Sequence, residues 1–266
     1  MTNYNLLLIS TLAYINIKKS HIIDFSSKKI FVNDIFNDTI DVVKCDKYYF
    51  LKTRYKYIKD YRILDYHTSK NGLVLYVLKS DEGEIIFGYR GTNIFDLRDI
   101  YTDFQIALGV NLNCIKQFNE ANSYTKEKII YYNEDKRIYF TGHSLGGGLA
   151  QYCAYGFAGN YNVLALTFNG VGVKRNLSNI LEVKKDNLLV DYSFIDDLVG
   201  NFGEEIGSQK VVYLCKSFFK NFTHHGVLNF YDYFYPTMSL LQKECFRDEI
   251  GVFYSSLNFF NNLKNI

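Results

Sequence analysis

The hydrophobic pattern of the chain sharpens at Gly72. Gly72 to Leu78 and Glu84 to Tyr89 are runs rich in β-branched and aromatic residues, separated by Ser80-Asp81-Glu82-Gly83. The Asp and Gly of that short connection predict a hairpin. A polar–apolar pattern of helical period then covers roughly Asn113 to Tyr131. Arg137 to Thr141 reads as a short strand, and the chain from Leu149 onward reads as a helix. Val163 to Phe168, Leu188 to Tyr192 and Val211 to Leu214 follow as further short apolar strands. Helices alternating with such strands predict an α/β protein whose sheet is covered on both faces. The first 60 or so residues carry a weaker pattern and read as helices with intervening turns.

Composition narrows this picture. A chain of 266 residues can bury one large core, and no Pro/Gly/Ser-rich linker, long charge block or repeat divides it, so residues 1–266 are expected to form a single domain. With 30 Lys+Arg against 28 Asp+Glu, the charge gives no basis for nucleic-acid binding. Lys18, Lys19, Lys28, Lys29, Lys44 and Lys47 make the first quarter somewhat basic. Acidic residues lie among them, which favours a solvated face over a site for anionic membranes. Leu6-Leu7-Leu8-Ile9 is too short to cross a bilayer and has neither a basic leader nor a cleavage signal, so a cytoplasmic location is the default expectation. Export without a leader would leave no mark on such a sequence. The five cysteines are odd in number, far apart and without a CxxC, a pattern that predicts buried free thiols and no metal site.

The most informative stretch runs from Ile138 to Ala150 and contains G-x-S-x-G as Gly142, Ser144 and Gly146, between a strand and a helix. In a nucleophile elbow the serine sits on a sharp turn, and glycines remove side chains where helix and strand would collide. Backbone amides at the start of the helix, that of Leu145 above all, can then hold a developing oxyanion. Gly147 and Gly148 suit close helix–sheet approach, and no G-K-[ST] follows to suggest a phosphate loop.

A serine nucleophile needs a base, and the base needs an orienting carboxylate; the order in this architecture is Ser, then Asp or Glu, then His. The histidines after Ser144 are His224 and His225, and Asp196 and Asp197 follow the apolar run ending at Tyr192. One member of each pair is expected to serve. His143 adjoins the nucleophile on the wrong side of a tight turn to act as its base and is expected to pack or hydrogen-bond. His21 and His67 precede the serine and are assigned ordinary structural roles. Phe87 to Asn93 ends the second hairpin strand; Gly91 there permits a tight turn and Thr92 can supply the other oxyanion donor, with a simple turn and an exposed arginine as the alternative. Asn93-Ile94-Phe95-Asp96 beyond it reads as a helix start, with a covering segment as the alternative.

At these residues the sequence resembles the class 3 lipases, and more closely their bacterial lipase-like (Mbeg1-like) relatives. Thr141-Gly142-His143-Ser144-Leu145-Gly146-Gly147-Gly148-Leu149-Ala150 is close to T-G-H-S-L-G-G-A-L-A, with Gly148 in place of alanine. Tyr89-Arg90-Gly91-Thr92 corresponds to F-R-G-T, whose threonine is associated with the oxyanion hole. Asp96 to Asp103 resembles the acidic segment that follows, and Phe168-Asn169-Gly170-Val171-Gly172 resembles an F-N-x-x-G turn. Asp197-Leu198-Val199 matches D-x-V, and His225-Gly226-Val227-Leu228-Asn229-Phe230 resembles H-S-L-x-N-F. The resemblance spans about residues 74–230.

It implies an α/β-hydrolase fold with a mostly parallel central sheet. It also implies a triad of Ser144, Asp197 and His225, an oxyanion hole from Thr92 and Leu145, and hydrolysis of carboxylic esters, lipid acyl esters among them. No cofactor or metal is implied. The partners expected are an ester or lipid substrate and transient contact with a membrane surface. A small-ester esterase, a thioesterase, or a degenerate hydrolase used for binding are the competing readings.

Overall fold

The apolar runs become adjacent strands of one sheet. In a computed structural model of the chain, the described residues are 1–18, 25, 27–91, 112–132, 136–173, 188–195, 197, 199–201, 209–213, 225–234 and 253–255. Among the described residues, nine strands lie side by side in chain order. β1 (Ile30–Phe31), β2 (Arg62–Thr68), β3 (Val74–Lys79) and β4 (Ile85–Tyr89) pair antiparallel in succession. From β4 the pairing is parallel through β5 (Ile138–His143), β6 (Val163–Phe168), β7 (Leu188–Phe194) and β8 (Gln209–Tyr213). β9 (Phe253–Ser255) returns antiparallel on β8. The sheet expected to be mostly parallel is thus parallel through its middle, with antiparallel flanks.

Connection length explains the switch, because parallel neighbours need a crossover long enough to cover the sheet. β3 and β4 are joined by a tight turn, in which Ser80 N donates to the Glu84 carbonyl at 2.9 Å and Gly83, at φ +85°, donates to the Ser80 carbonyl at 3.0 Å. Between β4 and β5 lies the long helix that the sequence pattern predicts. Among the helices, α1 spans Asn3–Leu12, α2 Val32–Phe36, α3 Asp46–Lys52, α4 Leu112–Tyr132, α5 Leu145–Phe157 and α6 Tyr231–Phe234. The nucleophile helix therefore starts four residues earlier than its apolar pattern suggests, since its first turn is made of glycines. β1, β2 and β9 are additions to the predicted strands.

The middle of the sheet, β3 to β6, is buried on both faces, and alternate residues divide between two cores. On one side Ile85, Phe87 and Tyr89 of β4, with Ile138 and Phe140 of β5, pack among Leu149, Ala150, Cys153 and Phe118 of α5 and α4. On the other, Tyr76, Ile86, Tyr139 and Phe168 pack with Leu6, Leu7, Leu8, Ile9 and Leu12 of α1. Helix α1 lies so close to the sheet that a Cβ on Gly88 would fall 2.8 Å from Ile9 Cγ2. Thr141 of β5 donates its hydroxyl to the Leu6 carbonyl at 3.2 Å. Every residue of α1 from Leu6 to Leu12 is buried, including Ser10 and Thr11, whose hydroxyls donate back to the Leu7 carbonyl at 2.8 and 2.9 Å. A helix buried all round has no amphipathic stripe, which is why the N-terminal region reads poorly as sequence.

Among the described residues, no helix is long and apolar enough to cross a membrane, and no group of His, Cys, Asp and Glu is arranged to hold a metal ion. Cys153 is buried and Cys45 partly buried, both as free thiols.

Candidate active site

Strand β5 ends at His143, helix α5 begins at Leu145, and Ser144 makes the turn between them at φ +59°, ψ −130°. A non-glycine residue in such a conformation is held there by its surroundings at a cost of about 1–3 kcal/mol. The surroundings are mostly backbone. A Cβ on Gly142 would lie 2.3 Å from the Gly146 carbonyl oxygen, and one on Gly146 would lie 2.4 Å from the Tyr89 carbonyl oxygen. A Cβ on Gly147 would meet Gly170 Cα at 2.7 Å. The elbow is stitched to the end of β6 as well, where Ser144 N donates to the Phe168 carbonyl at 3.1 Å; within the first turn of α5 the Ser144 carbonyl accepts from Gly147 N at 2.9 Å.

The end of β4 comes against this turn. A Cβ on Gly91 would lie 2.5 Å from the His143 carbonyl oxygen, 2.6 Å from the Tyr14 hydroxyl and 3.1 Å from Ser144 Cβ. Gly91 thus brings the R-G-T segment to the serine. Thr92, and the segment to Asp103 with its covering alternative, lie outside the described residues. Leu145 is the first residue of α5, where helix amides point without an intrahelical partner.

Beyond β7, Asp197 and His225 meet. His225 Nδ1 lies 2.9 Å from Asp197 Oδ2, with both side chains buried. The carboxylate also accepts from Val199 N at 3.1 Å (Oδ1) and Gly200 N at 3.0 Å (Oδ2). A Cβ on Gly200 would come within 2.7 Å of Asp197 Oδ2, so the glycine admits the carboxylate to its backbone donors. A carboxylate can only accept, so Nδ1 of a neutral His225 carries the proton and Nε2 keeps a lone pair. Nε2 is buried and makes no hydrogen bond among the described residues, to Ser144 or otherwise. Asp196 and His224, the other members of the two sequence pairs, lie outside the described residues.

His143 packs as the sequence reading expects, and its contacts say more. Its ring lies 4.7 Å from that of His225 between centroids. Nδ1 lies 2.7 Å from the Tyr14 hydroxyl, and Nε2 bonds the backbone carbonyl of His225. Burial, with His225 alongside, holds the His143 imidazole well below its ordinary pKa, so it is neutral at pH 7. Burial equally keeps the Tyr14 phenol protonated. Asn169, at φ +45°, donates from Nδ2 to the same His225 carbonyl at 3.2 Å, while its Oδ1 accepts from Phe194 N at 3.0 Å. Nothing local in the sequence marks Tyr14; Asn169 is visible only through the F-N-x-x-G turn.

A family model described as phospholipase-like, the Tle-like phospholipase domain, matches residues 63–187. No curated protein matches. Among solved structures, the lipase of Rhizopus microsporus var. chinensis is 17% identical, with 82% of this chain and 76% of that one covered at a TM-score of 0.50. A triacylglycerol lipase from Penicillium expansum is 16% identical over 80% of this chain and 78% of its own, also at 0.50. A mutant form of MDLA from Penicillium cyclopium reaches 0.53 at 12% identity, over 97% and 86%. The chain has a lipase-like α/β-hydrolase fold.

Proposed function

We propose that this chain is a serine hydrolase that cleaves carboxylic esters, with a lipid acyl ester as its substrate, through Ser144, His225 and Asp197. The observation that carries the reading is the buried Asp197–His225 pair, in contact with His143 beside the strained Ser144 turn. His225 Nε2 takes the Ser144 proton as the hydroxyl oxygen bonds to the acyl carbonyl carbon. The carbonyl electron pair moves to oxygen, where the amides of Leu145 and Thr92 stabilise it. Collapse expels the alcohol, which leaves with the proton from His225. Water activated by His225 then cleaves the acyl-enzyme and releases the acid. Asp197 fixes the His225 tautomer and balances the imidazolium formed in each half. None of these steps calls on a cofactor.

The phospholipase-like description of the matching model supports a lipid acyl ester over a small ester, and substrate would be met by transient contact with a membrane surface. The burial of α1 against the sheet that carries Ser144 supports reading residues 1–266 as one unit. The test is Ser144→Ala, with folding followed by circular dichroism. It should lose labelling by a fluorophosphonate probe and lower turnover of a p-nitrophenyl ester by at least about 10³-fold. Near wild-type turnover by the folded variant would refute the nucleophile. A preference of the wild-type enzyme for acetate, with no fatty acid released from a glycerolipid or a phospholipid, would refute the lipid substrate and leave the serine hydrolase standing.

A further inference from the structure

The geometry points to Tyr14, His143 and Asn169 as positioning residues for the proposed base: together they hold the backbone carbonyl of His225 and so set the direction in which its ring projects. The inference rests on the hydrolase reading but concerns residues outside the triad. The first grip is a chain of two hydrogen bonds with one allowed polarity. A carbonyl oxygen can only accept, so His143 Nε2 carries the proton it donates to His225. In a neutral imidazole Nδ1 is then bare, and the Tyr14 hydroxyl donates to it across 2.7 Å. The second grip is Asn169, which reaches the same oxygen at 3.2 Å while Phe194 N holds the other end of its amide.

These donors come from three distant parts of the chain. Tyr14 follows α1, His143 ends β5, and Asn169 follows β6. A histidine buried only for packing would need its two nitrogens satisfied by any partners. Here one of them is spent on the main chain of the residue whose side chain would carry the proton. The Asp197 bond alone fixes Nδ1; anchoring the His225 carbonyl fixes the backbone from which the ring projects, so that the ring is held at both ends. Among the described residues, the charged and titratable groups that act on this chain are His225 and Lys47 about His143, with Arg90 beside Tyr14, and none of these is a carboxylate.

The experiment compares His143→Phe, His143→Gln, Asn169→Ala and Tyr14→Phe in the full chain, by kcat and KM on a p-nitrophenyl ester, with circular dichroism as the folding check. His143→Phe should lower kcat about 10–100-fold with KM within about twofold, the cost of misplacing a catalytic group by a fraction of an ångström to an ångström. His143→Gln, which keeps an amide donor near the Nε2 position, should restore most of that loss. Tyr14→Phe should cost less than His143→Phe. The double change His143→Phe with Asn169→Ala should cost more than the product of the single changes, because each donor covers for the other. Nitrogen-15 NMR of the histidines should show His143 protonated at Nε2 and bare at Nδ1. Equal losses in His143→Phe and His143→Gln, or wild-type kcat in both His143→Phe and Asn169→Ala, would overturn the inference. An inactive, unlabelled wild-type protein would sink the hydrolase reading instead. The NMR would still test the grip, and a His143 proton found on Nδ1 would overturn it.

Discussion

The two faces of the sheet hold it by different means. On the α5 face, helix and strands meet backbone to backbone through Gly142, Gly146 and Gly147, and there is no room for a methyl group. On the α1 face, large side chains fill the gap: Leu6, Leu7, Leu8, Ile9 and Leu12 against Tyr76, Ile86, Tyr139 and Phe168. The first face needs close approach because it must bend the chain at Ser144. The second supplies burial, and with Tyr14 it delivers one long-range polar contact to the same turn. A backbone contact has nowhere to move, whereas a side-chain core can relax in part. Substitutions on the two faces should therefore fail differently.

The largest effect is expected at Gly146→Ala. The added Cβ would sit 2.4 Å from the Tyr89 carbonyl oxygen and 2.7 Å from Gly91 N. The first atom belongs to the last residue of β4, which is fixed by its pairing with β3 and β5, and the second lies two residues beyond it in the chain. Overpacking against backbone should cost about 3 kcal/mol or more in urea denaturation, together with the loss of fluorophosphonate labelling. A variant that folds and labels like wild type would show that the elbow can open, and would remove the argument for glycine there.

Leu8→Ala tests the other face. Leu8 is fully buried among side chains. Its truncation should cost about 2–5 kcal/mol, the usual range for a cavity of this kind, depending on how far the neighbours collapse. Labelling of the surviving folded fraction should stay near wild type, since α1 acts on the site through Tyr14 and not through Leu8. A stability loss under about 1 kcal/mol would mean that α1 is a loosely attached cover, contrary to its burial.

This contrast also explains what could be read from the sequence. The elbow was legible because its constraints lie within a few residues: Gly142, Ser144 and Gly146 declare the turn wherever they occur between a strand and a helix. The parallel strands were legible because burial on both faces makes them continuous apolar runs. The first 60 or so residues were legible as helices with intervening turns, which α1, α2 and α3 bear out, but not the bounds or all-round burial of α1, since burial on every side erases helical periodicity. The contact of Tyr14 with His143 spans 129 positions, and no local pattern could announce it. Asp197 and His225 stand between these cases. The chain order narrowed them to adjacent pairs, and only the resemblance chose within each pair. The structure brings Asp197 and His225 together at 2.9 Å.

A smaller effect should follow from pH. His143 has its native pKa depressed by burial, while in the unfolded chain it takes a proton near about pH 6.5. Between those two values the unfolded state binds a proton that the native state refuses. The contribution to stability is therefore intact above about pH 6.5 and is lost as pH falls below it, by up to about 1.4 kcal/mol per pH unit. Denaturation of wild type and His143→Gln at pH 7.5 and 5.5 should show about that much extra acid sensitivity in the wild type. Parallel losses in the two proteins would mean that His143 protonates in the native state, and would break the polarity assigned to its contacts.

Gly148→Ala is expected to have the smallest effect, and it separates two kinds of glycine within one helix. The class 3 lipase pattern that Thr141 to Ala150 resembles carries alanine at this position. Here the new Cβ would lie 3.0 Å from the Val171 carbonyl oxygen and 3.0 Å from Val173 Cγ1. One neighbour is the end of a side chain, which can turn aside. The other belongs to the loop after β6, where Val171 N reaches the Ser144 carbonyl by a long 3.4 Å contact that can give. Against this tight fit, alanine gains about 0.8–1 kcal/mol of helix propensity over glycine. The two terms should cancel to within about 0.5 kcal/mol, with labelling of Ser144 unchanged. A cost comparable to that of Gly146→Ala would show that α5 is clamped along its whole first turn. The distinction between a rigid β4 edge and a yielding β6 loop would then fail.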